Sequence, residues 1–337
     1  MRISIDAMGG DFGPSVTVPA CLHVLKGNPD LKLILVGRED DINKELQSAG
    51  ESSHSRISVQ HATEVVASDE SPSLALKRKK DSSMRIAINL VKEGEANACV
   101  SAGNTGALMA TARFVLRMLP GIDRPAICSG MPGINGSSHV LDLGANVDSS
   151  SEQLVQFAVM GSILVSAVQN IESPTIGLLN IGEEEVKGNE RIKTAAKLLS
   201  ESNLNYIGFV EGTDIYKGET DVIVCDGFMG NIALKSSEGV ANMLTSFAKE
   251  EFSRSVLTKI AALLSRSVLT AIKKRVDPRR YNGASMLGLK GIVIKSHGGA
   301  DKLSFVHAIE EAIKEVDKNV PEQIKNQLEA YLVKSEA

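Results

Sequence analysis

Short apolar runs of strand length alternate along this chain with longer stretches whose apolar positions recur every three to four residues. Arg2 to Asp6 reads as a first strand, Ser15 to Lys26 as a helix, Leu31 to Val36 as a second strand and Glu39 to Ser48 as a polar helix. Ile57 to Gln60 is a third candidate strand. The periodicity fails between Val66 and Asp81, a loop or short helix that carries the basic run Lys77, Arg78, Lys79 and Lys80. A helix from Ser83 to Glu93 then leads into ACVSAGNTGALMATARFVL, residues Ala98 to Leu116. This unit is strand, glycine turn, helix: Ala98 to Val100 is apolar, Gly103-Asn104-Thr105-Gly106 breaks it, and Leu108, Ala112, Val115 and Leu116 follow at helical spacing. After Pro120 come apolar runs at Ala126–Ser129 and His139–Leu143 and an apolar helix at Glu152–Gln169. Strands are expected at Thr175–Ile181, Asn205–Val210, Asp221–Cys225 and Gly291–Lys295. Helices are expected at Glu190–Ser200, from Ile232 onward, after Asp301 to Lys318, and at Glu322–Lys334.

This alternation predicts an α/β fold of three layers, a mostly parallel sheet with helices on both faces. Right-handed crossovers would place the strand C-termini on one edge, where such sheets bind ligands. Glycine-bearing loops follow seven strands, near Gly9, Gly103, Gly144, Gly182, Gly212, Gly227 and Gly298. Together they suggest a long cleft floored by backbone N–H groups. In the Gly103–Gly106 turn, free N–H groups of a first helical turn and the helix dipole would favour an anion. The plainer reading is a tight strand-to-helix turn. No close repeat or low-complexity linker divides the chain, so residues 1–337 are read as one domain with a helical insertion at 245–280.

Composition narrows the function. Apolar residues make up 43% and charged residues 23% of the 337 positions, ordinary for a soluble globular protein. A net charge of −4 argues against a general nucleic-acid binder, and 4% aromatics with no Trp argue against a base-stacking platform. Cys21, Cys99, Cys128 and Cys225 form no CxxC and sit in apolar surroundings, as reduced core thiols do. MRISIDAMGG enters a strand directly, so no signal sequence is expected. No segment approaches the roughly 18 uninterrupted apolar residues of a membrane span.

The common motifs are missing: GxxxxGK[ST], a GxGxxG after the first strand, HExxH, paired CxxC and GxSxG. No metal or cofactor is expected. The polar candidates sit in the glycine loops. Lys187 precedes Gly188 at a helix entrance, Asn231 stands at an expected N-cap with Lys235 a turn later, and His297 precedes two glycines. Of the six histidines only His297 lies in a strand-end loop. Cys225 beside Asp226 is either a nucleophile or a buried thiol. Asp6, Asp142 and Asp226 at strand ends either orient Lys and His groups or cap loops.

From Phe252 to Val276 an apolar stripe recurs every four residues, including Ile260, Leu264 and Val268, with Leu263 beside it. Between Lys249 and Arg280 nine basic residues, Lys273, Lys274 and Arg275 among them, face three acidic ones. Such a basic amphipathic segment suits an anionic membrane, an acidic partner or a dimer interface.

Seven ordered motifs then give a resemblance: DAMGGD (Asp6–Asp11), SAGNTGA (Ser101–Ala107), RPA (Arg124–Ala126), LDLGAN (Leu141–Asn146), LLNIGEEEVKGNE (Leu178–Glu190), VCDGFMGNIALK (Val224–Lys235) and VIKSHGGAD (Val293–Asp301). With KRKKDSSM (Lys77–Met84), they resemble the bacterial phosphate acyltransferase family of phospholipid synthesis over nearly the whole chain. Phe209 and Asn282-Gly283-Ala284-Ser285 depart from that family's usual pattern. The resemblance implies a phosphotransacetylase- and isocitrate-dehydrogenase-like fold. It implies that a fatty acyl group passes from acyl carrier protein to inorganic phosphate, and that a membrane acyltransferase then uses the acyl phosphate on glycerol 3-phosphate. It also implies a metal-free cytoplasmic homodimer that associates peripherally with membrane. Lys187, Asn231 and His297 are the catalytic candidates. Phosphate and substrate would meet Asp6, Gly9, Gly10, Gly103, Asn104, Thr105, Gly106, Asp142, Asn146, Gly182, Glu183, Asp226, Gly227, Gly230 and Gly298. Lys77–Lys80 and Lys273–Arg275 would dock the acidic carrier, and Ile260, Leu263, Leu264 and Val268 would meet membrane. The rivals are a phosphotransacetylase-like enzyme using acyl-CoA and a non-catalytic carrier or membrane scaffold.

Overall fold

A computed structural model describes residues 1–335, with the side chains of Lys273, Val276, Pro278 and residues 329–335 outside what is described. The first half of the chain alternates strand and helix: β1 (Arg2–Asp6), α1 (Pro14–Gly27), β2 (Lys32–Gly37), α2 (Glu39–Ser48), β3 (Ile57–His61), α3 (Pro72–Arg78), α4 (Ser83–Lys92), β4 (Ala98–Ser101) and α5 (Thr105–Leu116). A hairpin of β5 (Ala126–Pro132) and β6 (Ser137–Leu141) opens the second half. It continues with α6 (Ser151–Gln169), β7 (Ile176–Leu179), α7 (Glu190–Ser200), β8 (Tyr206–Val210) and β9 (Val222–Val224). Three helices follow, α8 (Gly227–Ser253), α9 (Val256–Leu264) and α10 (Arg266–Val276). The chain then returns to the sheet through β10 (Ala284–Leu287) and β11 (Ile292–Lys295) and ends with α11 (Lys302–Lys318) and α12 (Val320–Ser335).

All the strands form one sheet in the order β3-β2-β1-β4-β11-β10-β5-β6-β9-β7-β8. Strands buried on both faces read as continuous apolar runs, as AIC of β5 and LILV of β2 do here. One face is covered by α3, α4, α5 and the start of α8. The other carries α1, α2 and α11 over the first half and α6, α7 and α12 over the second. The three layers expected from the alternation are present.

Two features differ from the sequence expectation. β5 pairs antiparallel with β6, and β6 is parallel to β9, which is parallel to β7. The tight hairpin between Pro132 and Ser137 therefore reverses the chain, and β6 to β9 run against β1 to β4 and β11. Strand C-termini fall on two opposite edges rather than one. Secondly, the short strand β10 lies antiparallel between β11 and β5 and joins the halves. At four residues it is too short to show a period.

Helix starts follow local chemistry. Side chains of Ser82, Asn104, Ser150, Asn189, Asp226 and Asp301 each accept an N–H from the first turn of the following helix. Each such cap contributes about 1 kcal/mol. Asp226, not Asn231, caps α8, so α8 begins five residues earlier than its apolar period suggests and Asn231 lies inside it. The helix α6 has the length and apolar composition of a membrane span, yet Phe157, Met160 and Ile163 are packed in the core. Beyond its first turns α8 leaves the sheet, and Met243, Leu244 and Phe247 stand exposed. The exposed apolar series continues through α9 and α10 in Ile260, Leu263, Leu264 and Val268.

Candidate active site

Three loops meet at the edge where β1, β4 and β11 end. Their approach is close enough to require glycine. A Cβ on Gly9 would lie 2.7 Å from Asp6 Oδ2 and 2.8 Å from Gly103 N, and Gly10, at φ +84°, would press against Gly298 O at 2.8 Å. The Asp11 N–H donates to Gly298 O at 2.9 Å, fastening the first loop to the last. Ser101 Oγ donates to Asp6 Oδ2 at 2.6 Å and accepts the Gly103 N–H at 3.0 Å. Gly103 N–H is thus committed inward. Thr105 and Gly106 are exposed, and their N–H groups have no partner among the described residues. Asn104 works twice: Oδ1 caps α5 through Ala107 N, while Nδ2 donates to the carbonyls of Ser68 and Glu70. It thereby holds the irregular 66–71 segment, and with it α3, against the start of α5. Lys77, Arg78 and Lys80 are exposed at the end of α3, and Lys79 lies 3.9 Å from Glu64.

His297 is exposed on the third loop. Its N–H donates to Asn282 Oδ1 at 2.9 Å, and its Nδ1 accepts the Gly299 N–H at 3.1 Å. An acceptor at Nδ1 puts the proton of the neutral ring on Nε2. Asn282, at one of the departures from the family pattern, also donates to Ser296 Oγ and the Ser304 carbonyl, so it shapes this loop. The electrostatics turn on the buried Asp6 and the partly buried Lys295. Burial raises the Asp6 carboxyl above its usual range, its Oδ1 having no hydrogen-bond partner among the described residues. Lys295, at the end of β11, is lowered to about 8 by burial. Its Nζ donates to the carbonyls of Ala102 and Ser296. The motif VIKSHGGAD contains Lys295, but its one signal in the sequence is a lysine ending an otherwise apolar strand, and motif reading alone does not pick it out.

The remaining candidates gather at the opposite edge. Asp142 accepts N–H groups from Ile127, Gly144, Ala145 and Asn146, and the Asn146 amide as well. Burial nevertheless raises its carboxyl. A Cβ on Gly230 would lie 1.9 Å from Asp142 O, and one on Gly227 2.6 Å from Asn146 O, so α8 seats directly on this loop. Asn231 lies beside Gly144. The loop containing Gly182 and Glu183 is organised by Asn180, whose amide donates to the carbonyls of Gly182 and Lys187. Lys187 pairs with Glu184 at 3.2 Å on the exposed surface. Cys225 is buried, and burial raises its thiol, which favours the buried-thiol reading over a thiolate nucleophile.

The structure therefore separates the catalytic candidates. β4 and β7 are six strand spacings apart, on the order of 30 Å, and end on opposite edges. Lys187 and the Gly103–Gly106 turn do not share one phosphate within a chain. Between the groups runs α8, whose Lys235 acts electrostatically on Lys295.

Comparison with known proteins agrees with this architecture. The phosphotransacetylase of Streptococcus pyogenes superposes with a TM-score of 0.63 over 94% of each chain at 17% identity, which shows a shared fold. The branched-chain phosphotransacylase of Enterococcus faecalis does so with 0.55 over 93% of this chain and 99% of that one, at 12% identity. In sequence, the phosphate acyltransferase of Methylococcus capsulatus is 60% identical, covering 96% of this chain and 95% of its own. That of Nitrosococcus oceani is 59% identical over 98% of both. The family described as fatty acid synthesis protein matches residues 1–323. The chain thus belongs to that fatty acid synthesis protein family and, within it, to the phosphate acyltransferases, which makes it an acyltransferase.

Proposed function

We propose that the protein transfers a fatty acyl group from the thioester of acyl carrier protein to inorganic phosphate, releasing acyl phosphate and free carrier for phospholipid synthesis. The observation that carries this reading is the first-edge site. Exposed N–H groups at the start of α5, the Lys295 ammonium and His297 converge there, beside the basic end of α3. Phosphate is itself the nucleophile, so no Ser or Cys need attack. The enzyme holds a dianion against a thioester carbonyl and stabilises the oxyanion that forms. Donors fixed before reaction do this without reorganisation. His297 orients phosphate or donates to the departing sulfur. Lys187, Asn231 and the loops around Asp142 and Asp226 contact other parts of the substrates from the second edge.

An acidic carrier protein suits Lys77–Lys80, which Asn104 ties to the catalytic turn. Lys274 and Arg275 offer a second basic surface on α10. The exposed apolar arm of α8, α9 and α10 suits a homodimer contact and peripheral attachment to anionic membrane, where a membrane acyltransferase would consume the product. On this reading the enzyme works in the cytoplasm, peripherally attached to membrane. The chief rival donor is acyl-CoA.

Steady-state rates with acylated carrier and with acyl-CoA of the same chain length decide the donor; equal kcat/KM for both would contradict the carrier assignment. The edges are separated by His297→Ala, Lys187→Ala and Asn231→Ala. His297→Ala is expected to lower kcat or raise the KM for phosphate. The other two are expected to leave that KM unchanged and act on the acyl donor. Folded His297→Ala with wild-type constants would contradict the site.

A further inference from the structure

Lys295 lies at the first edge within VIKSHGGAD, and the motif assigns it no role. Its strand pairs in parallel with β4, setting Lys295 opposite Ser101, and Val293 on the same strand packs into the core shared with α5 and α8. The side chain is partly buried. Two of its donor positions are held by the carbonyls of Ala102 and Ser296, the residues just before Gly103 and His297. Nζ is therefore pinned between the anion-binding turn and the histidine loop. An ammonium has three N–H groups, and the third has no partner among the described residues. No carboxylate lies within ion-pair distance of it among those residues. The charged groups acting on it are Asp6 from β1, Asp11 from the loop after β1 and Lys235 from α8. His297 is the titratable group of the adjoining loop. Asp6 and Asp11 favour the charged form of Lys295 without forming an ion pair with it, while burial penalises that charge. A partly desolvated cation with no ion-pair partner among the described residues attracts an anion.

We propose that the Lys295 ammonium binds the attacking phosphate and gives its proton to the departing thiolate, a catalytic role that rests on the reaction proposed above. The step balances. A phosphate oxygen of hydrogen phosphate forms a bond to the thioester carbonyl carbon, and the carbon–sulfur bond breaks. The thiolate takes a proton from Nζ, and the amine recovers one from the phosphate hydroxyl. Acyl phosphate dianion and free thiol leave, and the ammonium is restored. Burial lowers Lys295 to about 8, towards the range of a thiol, which favours proton transfer between the two. Because the charged form is needed, kcat/KM for phosphate falls as pH rises through about 8.

The test uses the full-length enzyme, acylated carrier protein and two variants. Lys295→Met preserves length and removes charge; it is expected to lower kcat/KM for phosphate about 100-fold or more with an unchanged or higher melting temperature. Lys295→Arg keeps the charge but does not titrate in this range. It is expected to hold the phosphate KM within about tenfold, lower kcat and lose the alkaline limb near pH 8. Folded Lys295→Met within about threefold of wild type, or Lys295→Arg with the wild-type alkaline limb, overturns the proposal. Calorimetric binding of inorganic phosphate to wild type and Lys295→Met separates this from the reaction itself. A wild type that binds phosphate through Lys295 yet releases no thiol overturns the acyl transfer and keeps the anion site. An active wild type with an equally active Lys295→Met does the reverse.

Discussion

Among single residues, buried carboxyls set how this protein responds to pH. Glu315 of α11 is fully enclosed, with Oε1 unpartnered among the described residues, and burial, with Glu311 adding to it, pushes its carboxyl up to about 8 from 4.5. Between those values the unfolded chain releases a proton that the folded protein keeps. Folding stability therefore falls as pH rises from about 4.5 towards about 8. Glu315→Gln removes this dependence. Its melting temperature is expected to exceed that of wild type increasingly across that interval and to match it near pH 4.5. A difference independent of pH, measured by thermal unfolding at several pH values, would contradict the assignment. Such behaviour was not legible in the sequence, where Glu315 is one of several acids on an amphipathic helix. Enclosure against β10 and β5 singles it out. Likewise Asp6, Asp142 and Asp226 are recognisable as strand-end acids, and the cap of Asp226 on Met229 N is local, but the Ser101 hydroxyl on Asp6 and the Ile127 N–H on Asp142 come from segments the sequence does not bring together.

For the elements, the strongest constraint is how closely α8 approaches the loop after β6. Gly230→Ala would set a methyl group 1.9 Å from Asp142 O, so the helix must shift. The expected destabilisation is about 2 kcal/mol or more, read from the denaturant midpoint. Gly239 lies in the same helix with nothing near its Cβ position, and Gly239→Ala is expected to stabilise by up to about 1 kcal/mol. Equal effects at both positions would contradict the packing. Much of this level was readable from the chain. The periods of α1, α2, α4 and α7 and the apolar runs of β1, β2 and β4 fix those elements within a residue or two. The direction of β6 to β9 was not, because an apolar run looks the same whichever way its neighbour points. The hairpin turn Gly133–Gly136 carries that information, and reading it as a mere gap puts all glycine loops on one edge. β10 escapes notice for its length, and the start of α8 because Gly227 and Gly230 hide a helix that Asp226 caps.

For the molecule as a whole, the proposed function puts catalysis and attachment in different parts. The Gly103–Gly106 turn sits against the sheet, whereas α9 projects Leu263 and Leu264 at 67% and 79% exposure. Leu263→Glu with Leu264→Glu is expected to abolish flotation with anionic liposomes and leave acyl transfer in solution intact; loss of both together would contradict that division. The central claim is that this fold makes a phosphate attack an acyl thioester. It is tested most directly by incubating the enzyme with acylated carrier protein, with and without inorganic phosphate, and measuring free carrier thiol and acyl phosphate. Stoichiometric release of both only when phosphate is present is the predicted result. Carrier that stays acylated in the presence of phosphate, or thiol released equally without it, would contradict the account.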